Sequence, residues 1–192
     1  MEEIRLFPLN SVVLPEGKMK LRIFEPRYVR MVKECTAQGV GFGICLSDSS
    51  STTYPLSYVG TYARIIDFEQ MPDGLLGITV EGEKRFLRKT ERQEPDGLRI
   101  ASVDWLENWQ TSSQPPSEKM VSMLRAVHDQ FPELGELYAE GEWQDRNWVL
   151  QRWIEILPIT IEQFDRLLKS AAIDYAEQFV DSAIEQILVS KL

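Results

Sequence analysis

VGTYARIIDFEQMPDGLLGITVEGEKRF, residues 59–86, is the stretch whose reading decides the fold. Leu76, Ile78 and Val80 alternate with Gly77, Thr79 and Glu81, the period-two pattern of a half-buried strand. The Asp73-Gly74 pair before them suits a tight turn, because both residue types tolerate positive φ. A strand over 59–68 is therefore expected to pair with one over 75–82. The second strand is expected to continue through a bend to about residue 90. Pro95-Asp96-Gly97 then turns the chain into a strand over 98–107, where Ala101, Val103 and Trp105 share one face. The charges in EGEKRF (81–86) and QEPDG (93–97) read as solvated turns.

On the N-terminal side of the hairpin lies IFEPRYVRMV, residues 23–32. Proline suits a first helical position, where its missing N–H would be unpaired anyway. A helix over Pro26–Gln38 places Tyr28, Met31, Val32 and Cys35 on one apolar stripe, and Gly39 stops it. Arg27 and Arg30 lie on the other face, and arginine in a first turn opposes the helix dipole by about 0.3–1 kcal/mol. Two readings follow. Glu25, or an acidic helix from the second half of the chain, pairs with Arg27 and locks the halves together. Alternatively Arg27, Tyr28 and Arg30 belong to a contact patch, since arginine and tyrosine are favoured interface anchors.

After QTSSQPPS, residues 110–117, the pattern changes from strand to helix. Helices are expected over Glu118–Gln130, after Pro132, and over 145–157 with Val149, Trp153 and Ile156 inward. Thr160 and Gln163 form a capping box for the next helix. A final helix is expected to carry Leu168, Ala172, Tyr175, Phe179, Ala183 and Ile187 on one stripe. The organisation is thus α+β, with a curved antiparallel β-barrel over 1–110 and an α-helical subdomain over 111–192.

The chain has 192 residues, 43% hydrophobic and 27% charged, enough to bury a core. Its net charge of -9 is uneven: +1 over 1–60, -3 over 61–110 and -7 over 111–192. An acidic body repels phosphate backbones, so no nucleic-acid partner is expected. No apolar run is long enough for a spanning helix, and MEEIRLFPLN does not read as a secretory leader. Two cysteines without a leader point to reduced thiols and a cytoplasmic location.

Reactive constellations are sparse. His128 is the only histidine, it lies in VSMLRAVHDQ on an expected solvent-facing helix, and no G-x-S-x-G elbow occurs. One histidine and two cysteines ten residues apart make a poor zinc set. GVGFG, residues 39–43, follows a helix and precedes a strand, the reverse of a dinucleotide-binding fingerprint; close backbone approach within the sheet explains its glycines better. No catalytic residue, cofactor or metal is expected.

The motifs taken together resemble the N-terminal substrate-binding domain of the Lon protease family in a stand-alone bacterial form. The likeness is carried by LFPLNSVVLPEGKMKLRIFEPRYVRMVKEC (6–35), GFGIC (41–45), VGTYARI (59–65), PDGLLGITVEGEKRF (72–86) and WVLQRWIEILPI (148–159), spanning most of residues 4–168. It implies a PUA-like pseudobarrel with a Val-Val-Leu-Pro strand near its start, followed by a helical bundle. It also implies recognition of protein segments without ATPase or protease chemistry, since no G-x-x-x-x-G-K-[ST] occurs here. The expected function is a non-catalytic protein-recognition module, an adaptor or regulator of proteolysis, monomeric or weakly dimeric. A small-molecule or nucleotide/RNA-binding PUA-like domain is the alternative. The residues expected to meet a protein partner are Leu14, Pro15, Leu21, Glu25, Arg27, Tyr28 and Arg30.

Overall fold

The computed structural model describes residues 2–51, 55–110, 114–138 and 141–189. Six strands come first, interrupted by one helix: β1 (Glu2–Leu9), β2 (Lys18–Ile23), α1 (Pro26–Gln38), β3 (Phe42–Ser47), β4 (Leu56–Gln70), β5 (Leu76–Gln93) and β6 (Arg99–Leu106). Five helices follow: α2 (Glu118–Gln130), α3 (Pro132–Leu137), α4 (Arg146–Ile156), α5 (Ile161–Lys169) and α6 (Ile173–Val189). The α+β expectation holds, as do the hairpin at Gly74 (φ 83°) and the turn at Gly97 (φ 86°).

The long strand β5 closes the barrel. Its first part pairs with β2 and β4, and its second part pairs with β6. The circuit β5–β4–β3–β1–β6 therefore returns to β5, which removes most free edges. β2 remains outside that circuit as an edge strand bonded to β5 alone among the described strands. Irregularities in β4 opposite β5, between Tyr62 and Ala63 and between Ile65 and Asp67, supply the curvature.

Some details differ from the sequence reading. The sheet is mixed, because β1 and β3 run parallel, Leu6 opposite Gly43 through Leu9 opposite Leu46. A parallel pair needs a long crossover, which here contains β2 and α1. The Val-Val-Leu-Pro segment is not a strand: Val12–Leu14 are buried without ladder pairing, and Pro15 makes one isolated bridge to Gly82. EGEKRF is not a solvated turn but part of β5, with Arg85 and Phe86 fully buried. The final helix starts only at Ile173, so Leu168, assigned to it, lies in α5, and the buried stripe of α6 is Ala176, Val180 and Ile184. Tyr175, assigned to that stripe, is exposed. The chain bends after Lys169, so the helical phase restarts and the stripe moves by one residue. The linker residues 111–113 lie outside the described residues.

α1 lies on the barrel through Tyr28, Met31, Val32 and Cys35, packed with Phe7, Ile23 and Phe42. The Phe7 and Tyr28 rings are 4.2 Å apart. Gly43 explains part of GVGFG, since a Cβ there would lie 2.8 Å from the Phe86 ring and from Ile4. Cys35 and Cys45 are free and buried, and burial pushes the Cys45 thiol up to about 12, so both act as apolar packing.

The helices and barrel share one core in which Val12, Leu14, Leu46 and Val59 meet Met120, Leu124, Trp148, Trp153 and Phe164. Directed bonds fix the register of this contact. The Trp109 Nε1–H donates to the Ser170 carbonyl at 2.9 Å, and Asn147 Nδ2 donates to the Trp109 carbonyl at 2.8 Å. Buried Arg85 stacks on Trp109 and donates to the carbonyls of Leu168 and Glu107. Asp165 on α5 accepts from the backbone N–H groups of Tyr58 (3.0 Å) and Val59 (2.8 Å), tying the helix to β4. Asp165→Ala leaves those donors unsatisfied at a buried junction, so urea unfolding should show a loss of about 2–3 kcal/mol. Asp165→Asn, which retains one acceptor, should lose less.

Candidate functional site

The residues singled out from the sequence separate into two places. Arg27 Nη2 lies 2.6 Å from Glu25 Oε2, Arg27 Nη1 donates to the Gly97 carbonyl at 3.3 Å, and its guanidinium covers Tyr28. Arg30 binds Glu94 (2.5 Å), Asp96 (2.8 Å) and Glu34 (3.0 Å). Glu25 is thus the partner expected for Arg27. The other expected partner, an acidic helix of the second half, is not: both arginines instead fasten α1 to the β5–β6 turn. That turn is close in space because β5 bends back to meet β6. Glu25, Arg27 and Tyr28 line a shallow hollow of about 360 Å³ with Phe24, whose ring is largely exposed. Leu14 and Pro15 are buried beneath α4 and offer no surface, and Leu21 is half-buried on β2.

A larger hollow, about 580 Å³, opens where β2 meets the helices. Ser11 and Val12 from the loop after β1, and Lys18, Met19 and Lys20 from β2, form one side. Phe131, Leu134, Leu137 and Tyr138 from α3 and its flanks, with Arg152, Glu155 and Ile156 from α4, form the other. Its lining is mainly apolar with a few convergent polar groups, the usual character of a ligand site.

Arg152 and Glu155 stand three residues apart on α4 and so share a face. Arg152 Nε and Nη2 bind both Glu155 oxygens at 2.7 and 2.9 Å. Arg152 Nη2 also donates to the Pro15 carbonyl at 2.9 Å, and Glu155 Oε1 accepts from the Leu14 N–H at 2.6 Å. Arg152 Nη1 is buried with no partner among the described residues. Burial raises the Glu155 carboxyl above its usual range, opposed by Arg152. Gly17 allows this approach: a Cβ there would stand 2.2 Å from Glu155 Oε1 and 2.9 Å from the Leu14 carbonyl oxygen.

Tyr138 closes one end of the β2 edge. Its hydroxyl accepts from the Lys18 N–H at 2.7 Å and donates to the Lys18 carbonyl at 3.2 Å. Both Lys18 backbone groups therefore point away from β5. Antiparallel alternation then turns those of Lys20 and Arg22 the same way, outward from the sheet. His128, expected to face solvent, is buried: it stacks on Tyr138 at 5.4 Å and meets the Trp143 ring at 5.3 Å. The helix turns it inward because α3 folds back over the end of α2. Its Nδ1 has no partner among the described residues, and burial followed by Arg152 pushes its pKa down.

Sequence reasoning missed this set. The available signal was a charged pair, Arg152 and Glu155, inside the mainly apolar WVLQRWIEILPI. Among the described residues no group of three or more His, Cys, Asp or Glu is placed to hold a metal ion. No described helix is long and apolar enough to cross a membrane.

Comparison with known proteins agrees with this architecture. The family model described as "ATP-dependent protease La (LON) substrate-binding domain" matches residues 3–184. A crystal structure of a Lon N-terminal domain protein from Xanthomonas campestris superposes with a TM-score of 0.65 at 29% identity, covering 98% of each chain. The N-terminal domain of a Mycobacterium avium complex Lon protease superposes with a TM-score of 0.64 at 12% identity, covering 95% of this chain and 97% of that one, a likeness of fold. A Lon protease of Lawsonia intracellularis is 30% identical over 132 residues, 66% of this chain. The match spans only 16% of that protease's length.

Two outcomes test the site's construction. Gly17→Ala should lower the urea midpoint by the equivalent of about 1–3 kcal/mol, because the new methyl group must displace the Arg152–Glu155 pair or the Leu14 carbonyl. His128 has a folded pKa below its ordinary value of 6.5, so the unfolded chain takes up a proton more readily. The stability it contributes is complete above about pH 6.5 and is lost as pH falls toward the folded pKa. Urea melts at pH 7.5 and 5.5 should show this loss, and His128→Phe should remove that part of it.

Proposed function

The chain belongs to the Lon substrate-binding domain family, and on that premise we propose that it is a non-catalytic recognition module that holds extended segments of other proteins. The observation that carries this reading is the unpaired edge of β2, whose Lys20 and Arg22 backbone groups face outward beside an apolar hollow. An extended segment can add to such an edge through main-chain bonds while its alternate side chains enter the hollow. Main-chain bonding is indifferent to sequence, which suits a receptor for many clients.

The polar groups around the hollow are arranged for holding rather than reacting. Glu155 is committed to Arg152 and Leu14, and the Tyr138 hydroxyl to Lys18. The module acts as an adaptor or regulator of proteolysis carried out elsewhere, in a reducing compartment suited to two free thiols. Its partners are protein segments; nucleic acid is not among them, given the net charge of -9. The shallow hollow at Glu25, Arg27 and Tyr28 is a secondary contact at most, because its charges are already neutralised within the barrel.

Lys20→Pro tests the proposal directly. Proline at an outward-facing edge position removes a free N–H without breaking the β2–β5 ladder. Fluorescence anisotropy with a labelled, permanently extended octapeptide should show at least a tenfold loss of affinity, with a nearly unchanged thermal midpoint. Unaltered binding by a folded Lys20→Pro variant would sink strand addition at this edge.

A further inference from the structure

Resting on the strand-addition reading above, we propose that the hollow between β2 and α4 receives the C-terminal carboxylate of an extended polypeptide running antiparallel to β2. The first ground is where the free edge stops. Tyr138 occupies both backbone groups of Lys18, so an added strand can bond at Lys20 and Arg22 and no further. β2 runs from Lys18 to Ile23, and an antiparallel neighbour therefore arrives at Lys18 with its C-terminal end. The capped edge favours a chain that ends there.

The second ground is the charge at that stop. Lys18 and Lys20 line the hollow and make no ion pair among the described residues. Arg152, 1% exposed, lines it too, and its Nη1 lacks a partner, as does the Nδ1 of buried His128. The opposing carboxylates are Glu155, already committed to Arg152 and Leu14, and Glu133, exposed at the rim. A buried guanidinium nitrogen without an acceptor is costly, and a carboxylate oxygen is the group that satisfies it best. A parallel strand would bring an ammonium terminus against the same cations, which the charge disfavours. Val12, Leu134, Leu137 and Ile156 give the last side chain an apolar wall.

The test uses the full chain and N-terminally fluorescein-labelled octapeptides of alternating threonine and valine ending in leucine. Three forms are compared by anisotropy: the free acid, the C-terminal amide, and the amide with glutamate at its fifth position. The free acid should bind at least tenfold more tightly than either amide. Lys18→Met, checked by thermal melting, should weaken the acid severalfold and shrink the affinity ratio of acid to plain amide; an unchanged ratio would overturn the role of Lys18 in holding the carboxylate. Equal binding of acid and plain amide, both abolished by Lys20→Pro, would overturn the carboxylate receptor while strand addition stands. A glutamate-bearing amide that matches the acid would overturn the requirement for a chain terminus. Failure of all three peptides to bind would overturn both readings.

Discussion

The ion pair between Arg152 and Glu155 is the contact on which the rest of the arrangement depends. Both side chains are nearly excluded from water, at 1% and 10% exposure, a costly position for two charges. The cost is offset because each also bonds the backbone of the loop before β2, at Pro15 and Leu14. Removing one partner of a buried pair typically costs about 3–5 kcal/mol, since the other charge is stranded. Here the pair does more than join helix to barrel. It sets the path of residues 14–17, and thereby where β2 begins and how Tyr138 meets Lys18.

An open edge strand is a liability that folded proteins manage. In this chain the barrel circuit covers most edges among the described strands, while the whole of β2 stays open on one side, and β2 carries three basic residues in six. Lys18 is additionally capped by Tyr138. Charge and capping discourage pairing between copies of the chain while leaving a short length of backbone available. The arginines of α1 are disposed differently: Glu25, Glu34, Glu94 and Asp96 neutralise them in half-exposed ion pairs on the outer side of α1. The dipole penalty at Arg27 is offset by a neighbouring carboxylate, which answers the anomaly seen in IFEPRYVRMV.

Much of the fold was legible because the deciding forces are local. Asp73-Gly74 needs a positive φ that glycine supplies, Pro26 and Gly39 bound α1, and Thr160 with Gln163 satisfies helix N-terminal groups reciprocally. The site was less legible. The residues expected to face a partner included Leu14 and Pro15, which α4 covers, and excluded Lys18, Lys20, Tyr138 and Arg152. His128 was misplaced for a related reason: its environment is made by Tyr138, Trp143 and Arg152, which reach it only because the chain folds back after α2.

By itself the sequence determined the change from strands to helices, the faces of α1 and of the central hairpin, and the family likeness, because these depend on spacing and backbone preference within about ten residues. The tertiary structure decided the parallel β1–β3 pair, the burial of Arg85 and Arg152, and the junction between β2 and α4. Leu14 and Glu155 are 141 positions apart, yet one hydrogen bond joins them. Only chain closure brings such groups together, and periodicity carries no record of it.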